Sequence, residues 1–370
     1  MGVRKTVPWL AAVAVVLGAA VALTGCGGGG DAASPAATAA AAPTIALLLP
    51  DTETARYETQ DRPLFAAKVK ELCPDCEILY SNADADATRQ QSQAEAALAN
   101  GAAVLVLDPV DFAAAGAIVE KAHAAHVPVI SYDRLITNAD LAYYVSFDNE
   151  KVGRLQGQAL LDKLTADGNA GKTIVMINGA LTDSNAEMYK AGAHSVLDGK
   201  VKIGAEYDTP DWSADKAQAE MDKAITKLGK DGFVGVYCAN DGTAGGAIAA
   251  MTDAGLDPRA RPTTGQDAEL AAIQRILVGE QFMTVYKAIK LEAEAAALLA
   301  VALAQGEAPP PSLTLTKVNN GTKDVDSVIL DPLTVTRDNV KSTVVADGFW
   351  TAADICTGAY AAACSEAGIE

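Results

Sequence analysis

From Thr44 onward, short apolar runs rich in β-branched residues alternate with longer, alanine-rich segments of helical period. No other feature restricts the fold as much. The run TIALLL at Thr44–Leu49 has no polar face, so it must be buried on both sides, the situation of a central strand in a parallel sheet. Ala103–Leu107 and Val127–Ile130 have the same character. Between them Asp86 can cap a helix whose Ala94, Ala97 and Leu98 share one face, with Asn100-Gly101 as its stop. Parallel strands joined in this way form βαβ units.

A second series starts after Phe147-Asp148-Asn149. The spacing of Val152, Leu155, Ala159 and Leu160 predicts a helix over 150–164, which Gly168 and Gly171 end before a strand at Thr173–Ile177. Further strands are expected at Val201–Tyr207, Phe233–Tyr237, Pro262–Gln266 and Phe282–Tyr286, with helices between. At 370 residues the chain exceeds what one core usually serves, and half of it is hydrophobic. Two doubly wound α/β domains satisfy both series. After Ala304 the triplet Pro309-Pro310-Pro311, the turn Asn319-Asn320-Gly321 and the run Val328–Leu330 predict a hairpin and return connections, not a third domain.

The beginning of the chain carries an address. Arg4 and Lys5 precede an apolar run from Val7 to Leu23 that ends in Leu23-Thr24-Gly25-Cys26. This pattern resembles a bacterial lipoprotein signal over 1–25, with Cys26 lipidated and anchoring the mature chain outside the cytoplasm. A plain membrane anchor is the alternative, at the short limit for a span. Residues 26–43 lack large apolar side chains and read as a flexible tether.

With 47 acidic against 29 basic residues, a net charge of −18 opposes nucleic acid and anionic membrane surfaces. Three histidines, His123, His126 and His194, without an H-E-x-x-H motif, give a catalytic metal few ligands, and no cofactor is implied. In doubly wound folds ligands meet the carboxyl ends of strands. Here those ends carry Asp51, Asn82, Asp108, Asp133-Arg134, Asp148-Asn149, Asn178, Asn240-Asp241 and Gln266-Asp267. Any one of these can be an ordinary helix cap. Capping does not account for Arg134 beside Asp133, nor for Tyr57 and Trp212 in loops otherwise poor in aromatics. Trp212 follows Pro210-Asp211 at a strand end, where a core role is less expected than inside a strand. Carboxylates, amides and a guanidinium around aromatic rings suit a neutral polyhydroxylated ligand.

The stretches VISYDRLI, YYVSFDNEKVG, DSNAEMYKAG, CANDGTAGGAI, GQDAELAAI and MTVYKAI resemble, in order and spacing, the D-xylose-binding proteins of ABC sugar transporters. The resemblance runs from Thr44 to Trp350 and implies a type I periplasmic binding fold. In it, an N-terminal lobe (44–149 plus 287–330) and a C-terminal lobe (150–286 plus 331–350) close on a sugar through a three-segment hinge near Asn149, Tyr286 and Leu330. It also implies sugar contacts at Arg56, Tyr57, Asp133, Arg134, Asp183, Asn185, Trp212, Asn240, Asp267 and Lys287. Where the family usually carries a tryptophan, this chain has Tyr57, which keeps the ring and leaves another aldose open. A monomer delivering D-xylose to the permease and ATPase subunits of an importer follows from the resemblance. A sensor or chemoreceptor reading the closed form is the alternative use.

Two other classes fare worse. A glycosidase would use Asp133 and Asp267 as paired carboxylates. A sugar-responsive repressor would need a helix-turn-helix that the sequence lacks. The 351–370 tail lies outside the resemblance. Cys73-Pro74-Asp75-Cys76 follows a helix instead of opening one, so a structural disulfide is expected there, with a second between Cys356 and Cys364. Cys238 is left as a buried free thiol.

Overall fold

The structure is a computed structural model, described here for residues 42–370; the expected signal segment, Cys26 and nearly all of the expected tether lie outside them. Strand β1 (Thr44–Leu49) leads through a π-helical turn at Tyr57–Asp61 into α1 (Arg62–Leu72), followed by β2 (Glu77–Asn82), α2 (Ala87–Ala99), β3 (Ala102–Leu107), α3 (Gly116–Ala124), β4 (Val129–Tyr132) and β5 (Tyr143–Phe147). The second series is α4 (Asn149–Ala166), β6 (Thr173–Asn178), α5 (Ser184–Leu197), β7 (Lys202–Asp208), α6 (Ala214–Leu228), β8 (Val236–Cys238), α7 (Asp241–Asp253), α8 (Leu270–Val278) and β9 (Met283–Tyr286). Then come α9 (Ile289–Gln305), β10 (Thr316–Asn319), β11 (Asp324–Leu330), β12 (Leu333–Thr336), α10 (Ala352–Ile355) and α11 (Ala361–Glu366).

The first half is built on a seven-stranded sheet of order β2-β1-β3-β4-β5-β11-β10, parallel except for the β10–β11 hairpin. Alternation along its central strands explains why they are apolar throughout. Ile45, Leu47, Leu49, Val104 and Val106 pack beneath α1 and α9, while Ala46, Leu48, Leu105 and Leu107 face α2 and α3. The second half has a parallel β7-β6-β8 sheet and an antiparallel β9–β12 pair.

Between these lies Pro262–Gln266, expected as a full strand. It forms only isolated bridges, Val236 with Thr263 and Gln266 with Val285. Pro262 has no N–H to give, and Gly265 is bare because the Asp241 carboxylate occupies its flank, 2.0 Å from where a Cβ would stand. The strand expected at Val127–Ile130 lies two residues later, since Pro128 precedes it without an N–H.

The chain passes between the halves three times: from β5 to α4, from β9 to α9, and from β11 to β12. The first and third passages are bonded to each other, Asp148 N–H donating to the Leu330 carbonyl at 2.9 Å. The tail is not a separate appendage, because Ile355, Cys364 and Ile369 are buried against Ile273, Ile276 and Leu277 of α8. Cys73 is bonded to Cys76 and Cys356 to Cys364. Cys238 is a buried thiol whose ionisation burial pushes well up, so it has no nucleophile's character.

Candidate ligand-binding site

The loop after β1 starts with Asp51, whose Oδ1 accepts from Thr54 N–H at 2.9 Å and folds the chain back toward the sheet end. That turn delivers Arg56 and Tyr57, both buried, to the gap between the halves. Arg56 is clamped from behind: Nε and Nη2 donate to Asp61 at 2.9 and 2.6 Å, and Nη2 also reaches Glu292 at 2.8 Å. Its other nitrogen, Nη1, lies 3.5 Å from Asp133 and 3.9 Å from Asp267.

After β4 the backbone turns at Asp133, which takes φ of +54°. The turn is held by Asp133 N–H on Val145 O and by Ser146 Oγ on Asp133 O, at 2.9 and 2.6 Å. Arg134 runs back under the site, donating to Pro109 O, Asp51 and Tyr57 Oη, each at 3.1 Å, while its Nε lies 2.9 Å from Asp183. Tyr57 Oη in turn donates to Asp133 at 3.2 Å.

The second half brings Asp183 at the start of α5, Trp212 after β7, Asn240 at the start of α7 and Gln266-Asp267, and the crossing from β9 to α9 brings Lys287. Lys287 is buried, with Nζ 3.2 Å from Asp267 and 3.8 Å from Asp133. Asp267 Oδ2 accepts from Gln266 at 2.9 Å, whereas Oδ1 has no hydrogen bond among the described residues. Asn240 uses its carbonyl oxygen to cap α7 on Thr243 N–H at 2.8 Å, which leaves its NH2 facing the gap.

These groups surround one polar cavity of about 20 Å3, far below the ~300–1,000 Å3 of pockets that take larger ligands. Every ligand residue expected from the sequence lines it except Asn185. Asn185 stands behind the wall, where its amide donates to Asp133 O at 3.1 Å and accepts from Asn149 at 2.8 Å, so it orients Asp133 instead of facing the cavity.

Trp212 departs from expectation in another way. It is core and wall at once, packed edge-on to Tyr189 with centroids 6.3 Å apart and donating to Asp183 at 3.0 Å. The indole lies flat on Gly179, where a Cβ would be 2.0 Å from its Cη2. Tyr189, Thr54 and Gln266 also line the cavity and were not singled out as contacts. Tyr189 sits within DSNAEMYKAG, two turns after the Asp183 cap, and that spacing was the available signal.

Burial raises the cost of charge throughout the cluster, and the cations decide which carboxylates stay ionised. Burial alone would raise Asp133, but Arg56, Lys287 and Arg134 together bring it down to about 2. Asp108 and Glu292, behind the wall, are pushed well above the usual carboxylate range by burial despite Arg134 and Arg56. A glycosidase needs one carboxyl that holds its proton near neutrality. Asp133 cannot be that acid.

Among the described residues no cluster of His, Cys, Asp and Glu suits a metal ion, and no helix is long and apolar enough to cross a membrane. The model of the periplasmic binding protein domain matches residues 45–308. The chain belongs to that family. This binding protein is 37% identical over 310 residues to the D-xylose-binding periplasmic protein of Escherichia coli (strain K12), covering 82% of this chain and 90% of the relative. It is 31% identical to the multiple sugar-binding periplasmic receptor ChvE of Rhizobium radiobacter, over 84% of this chain and 91% of that one. Among solved structures, an ABC transporter solute binding protein from Clostridium phytofermentans with bound β-D-glucose superposes with a TM-score of 0.77 at 28% identity, covering 84% of this chain and 99% of that one. These relatives are named for binding and transport, and this binding protein is likewise not an enzyme.

Proposed function

We propose that the chain captures one monosaccharide, D-xylose, between its halves outside the cytoplasm and delivers it unchanged to the permease and ATPase of an ABC importer, held to the membrane by lipid on Cys26. The observation that carries the reading is the composition of the cavity: Asp133, Arg134 and Arg56 from one half meet Asn240 and Asp267 from the other, with Lys287 on the crossing from β9 to α9. Alternating donors and acceptors match vicinal hydroxyls, and Trp212 and Tyr57 offer apolar faces for the C–H side of a ring. Neither half alone holds enough partners. A sugar therefore gains contacts only when both are engaged, and that difference in affinity favours closure through the three crossing segments.

The relatives support a sugar and favour xylose, since the relative that matches at 37% identity is named for that pentose. A second use is supported by the similarity to a protein named as a receptor, in which the closed form is read by a sensor. The first test is calorimetry against D-xylose, D-glucose, L-arabinose, D-ribose and xylitol, with small-angle scattering beside it. D-xylose binding tightest with one site per chain, and a smaller radius when bound, is the expected result. No heat with any sugar removes the reading, and a preferred hexose moves the ligand while keeping the site.

A further inference from the structure

The loop that presents Asp267 is twisted in an unusual way. Asp267 and Ala268 are consecutive non-glycine residues with positive φ, +99° and +50°. Such conformations persist only where their surroundings over-determine them. Three restraints come from the same half: Asp267 N–H on Val285 O at 2.9 Å, Ala268 N–H on Thr284 Oγ1 at 3.2 Å, and Glu269 N–H on Asp241 Oδ2 at 2.9 Å. All three hold N–H groups. The remaining carbonyl, Ala268 O, is held by the indole N–H of Trp350 at 2.8 Å.

Trp350 is itself set from several directions. Its ring meets Phe349 edge-on at 5.5 Å, and Phe349 meets Tyr286 in the same way at 5.1 Å. Gln60, from the turn that carries Arg56 and Tyr57, donates to Phe349 O at 3.4 Å. Just beyond, Gln274 of α8 donates to Ile355 O at 3.1 Å, which fastens the start of the tail to the helix that follows Asp267. The segment around Trp350 therefore touches the Asp267 loop, the helix after it and the opposite half.

We infer that Trp350 is a positioning residue for ligand capture: its N–H fixes the Ala268 carbonyl and so the backbone twist that aims the Asp267 carboxylate into the cavity. Without that bond the Ala268 peptide is free to relax toward negative φ, which rotates Asp267 away from Lys287 and from the ligand's hydroxyls. The C-terminal segment then sets affinity as well as stability. This rests on the sugar-binding reading above.

The test is a double-mutant cycle on the full mature chain, read by calorimetry with D-xylose and by urea unfolding. Trp350→Phe keeps the ring contacts and removes only the N–H. Its affinity should fall about tenfold, the scale of one buried hydrogen bond, with faster release and little change in unfolding midpoint. Trp350→His, which restores a ring N–H, should recover part of the loss. In the Asp267→Ala background Trp350→Phe should cost no further affinity. Equal losses in both backgrounds, or a lowered midpoint with unchanged affinity, would overturn the positioning role while leaving the sugar site intact. Unchanged affinity in Asp267→Ala alone would instead overturn the site.

Discussion

In the first half the charged groups that line the cavity are engaged before any ligand arrives: Arg134 spans Pro109 O, Asp51 and Tyr57, and Arg56 is fastened to Asp61 and Glu292. In the second half the lining groups hold unused capacity: Asp267 Oδ1 has Lys287 Nζ at 3.2 Å and Arg56 Nη1 at 3.9 Å as ionic neighbours but no hydrogen bond among the described residues, and the Asn240 side chain lines the gap. The difference separates two jobs. A pre-set network costs nothing to organise at the moment of binding, which favours affinity and fixed orientation. Unspent acceptors and donors reward contact with hydroxyls, and they do so only when the second half has come close. The first half is a template and the second a latch.

Removing a template group should damage the fold first, and removing a latch group should damage chiefly capture. Arg134→Ala gives the largest effect. It strands Asp51 and Asp183 as buried charges, so stability should fall by about 3–5 kcal/mol, measured by urea unfolding without sugar, and binding should be lost. Asp267→Ala leaves the buried Lys287 only Asp133, 3.8 Å away, so stability should fall, though by less than in Arg134→Ala, while affinity drops by about 1–3 kcal/mol through hydroxyls left without a partner. An Asp267→Ala protein as unstable as Arg134→Ala would erase the distinction. Asn240→Ala is intermediate in kind, because it removes a helix cap worth about 0.5–2 kcal/mol together with one donor, so modest losses should appear in both assays.

Acidity and alkalinity should also separate the halves. Asp133, drawn down to about 2 by Arg56, Lys287 and Arg134 against the effect of burial, contributes stability that is present above the ordinary carboxylate range of about 4 and is lost as pH falls toward 2. Asp241 and Glu269 behave oppositely. Burial, with the charge of Asp267 added for both and that of Asp241 for Glu269, raises them to about 7 and about 8, so the fold prefers them protonated and loses stability as pH climbs from about 4 through those values. Glu269→Gln should flatten the decline of Tm between about pH 4 and about pH 8, the smallest effect proposed. A decline of unchanged slope would reassign it to other groups.

Much of this was legible in the chain. Continuous apolar runs announced a parallel sheet buried on both faces, and β1 matches its expected limits to the residue. Polar residues at strand ends pointed to the cavity because strand ends converge there in this topology. What the chain concealed depends on approach from outside the local sequence. Asn185 was read as a contact, yet whether an amide faces a cavity or its neighbour's carbonyl is settled by Asn149, on a different helix. Trp212 was read as a cleft aromatic because it follows a turn. That it also belongs to the core follows from Tyr189 and Gly179, which no local pattern brings together. The segment Pro262–Gln266 shows the same limit, since composition favoured a full strand where the chain makes only two isolated bridges.

Gly179 leaves its mark on what can enter. The indole of Trp212 rests directly on its main chain, with no room for even one carbon between them. Alanine at 179 would force the ring to shift by roughly an ångström or more in a close-packed wall. The position of one cavity wall is thus set from beneath the aromatic surface, at a residue that does not line the cavity. A single methyl group there could reshape the cavity without replacing any residue that lines it.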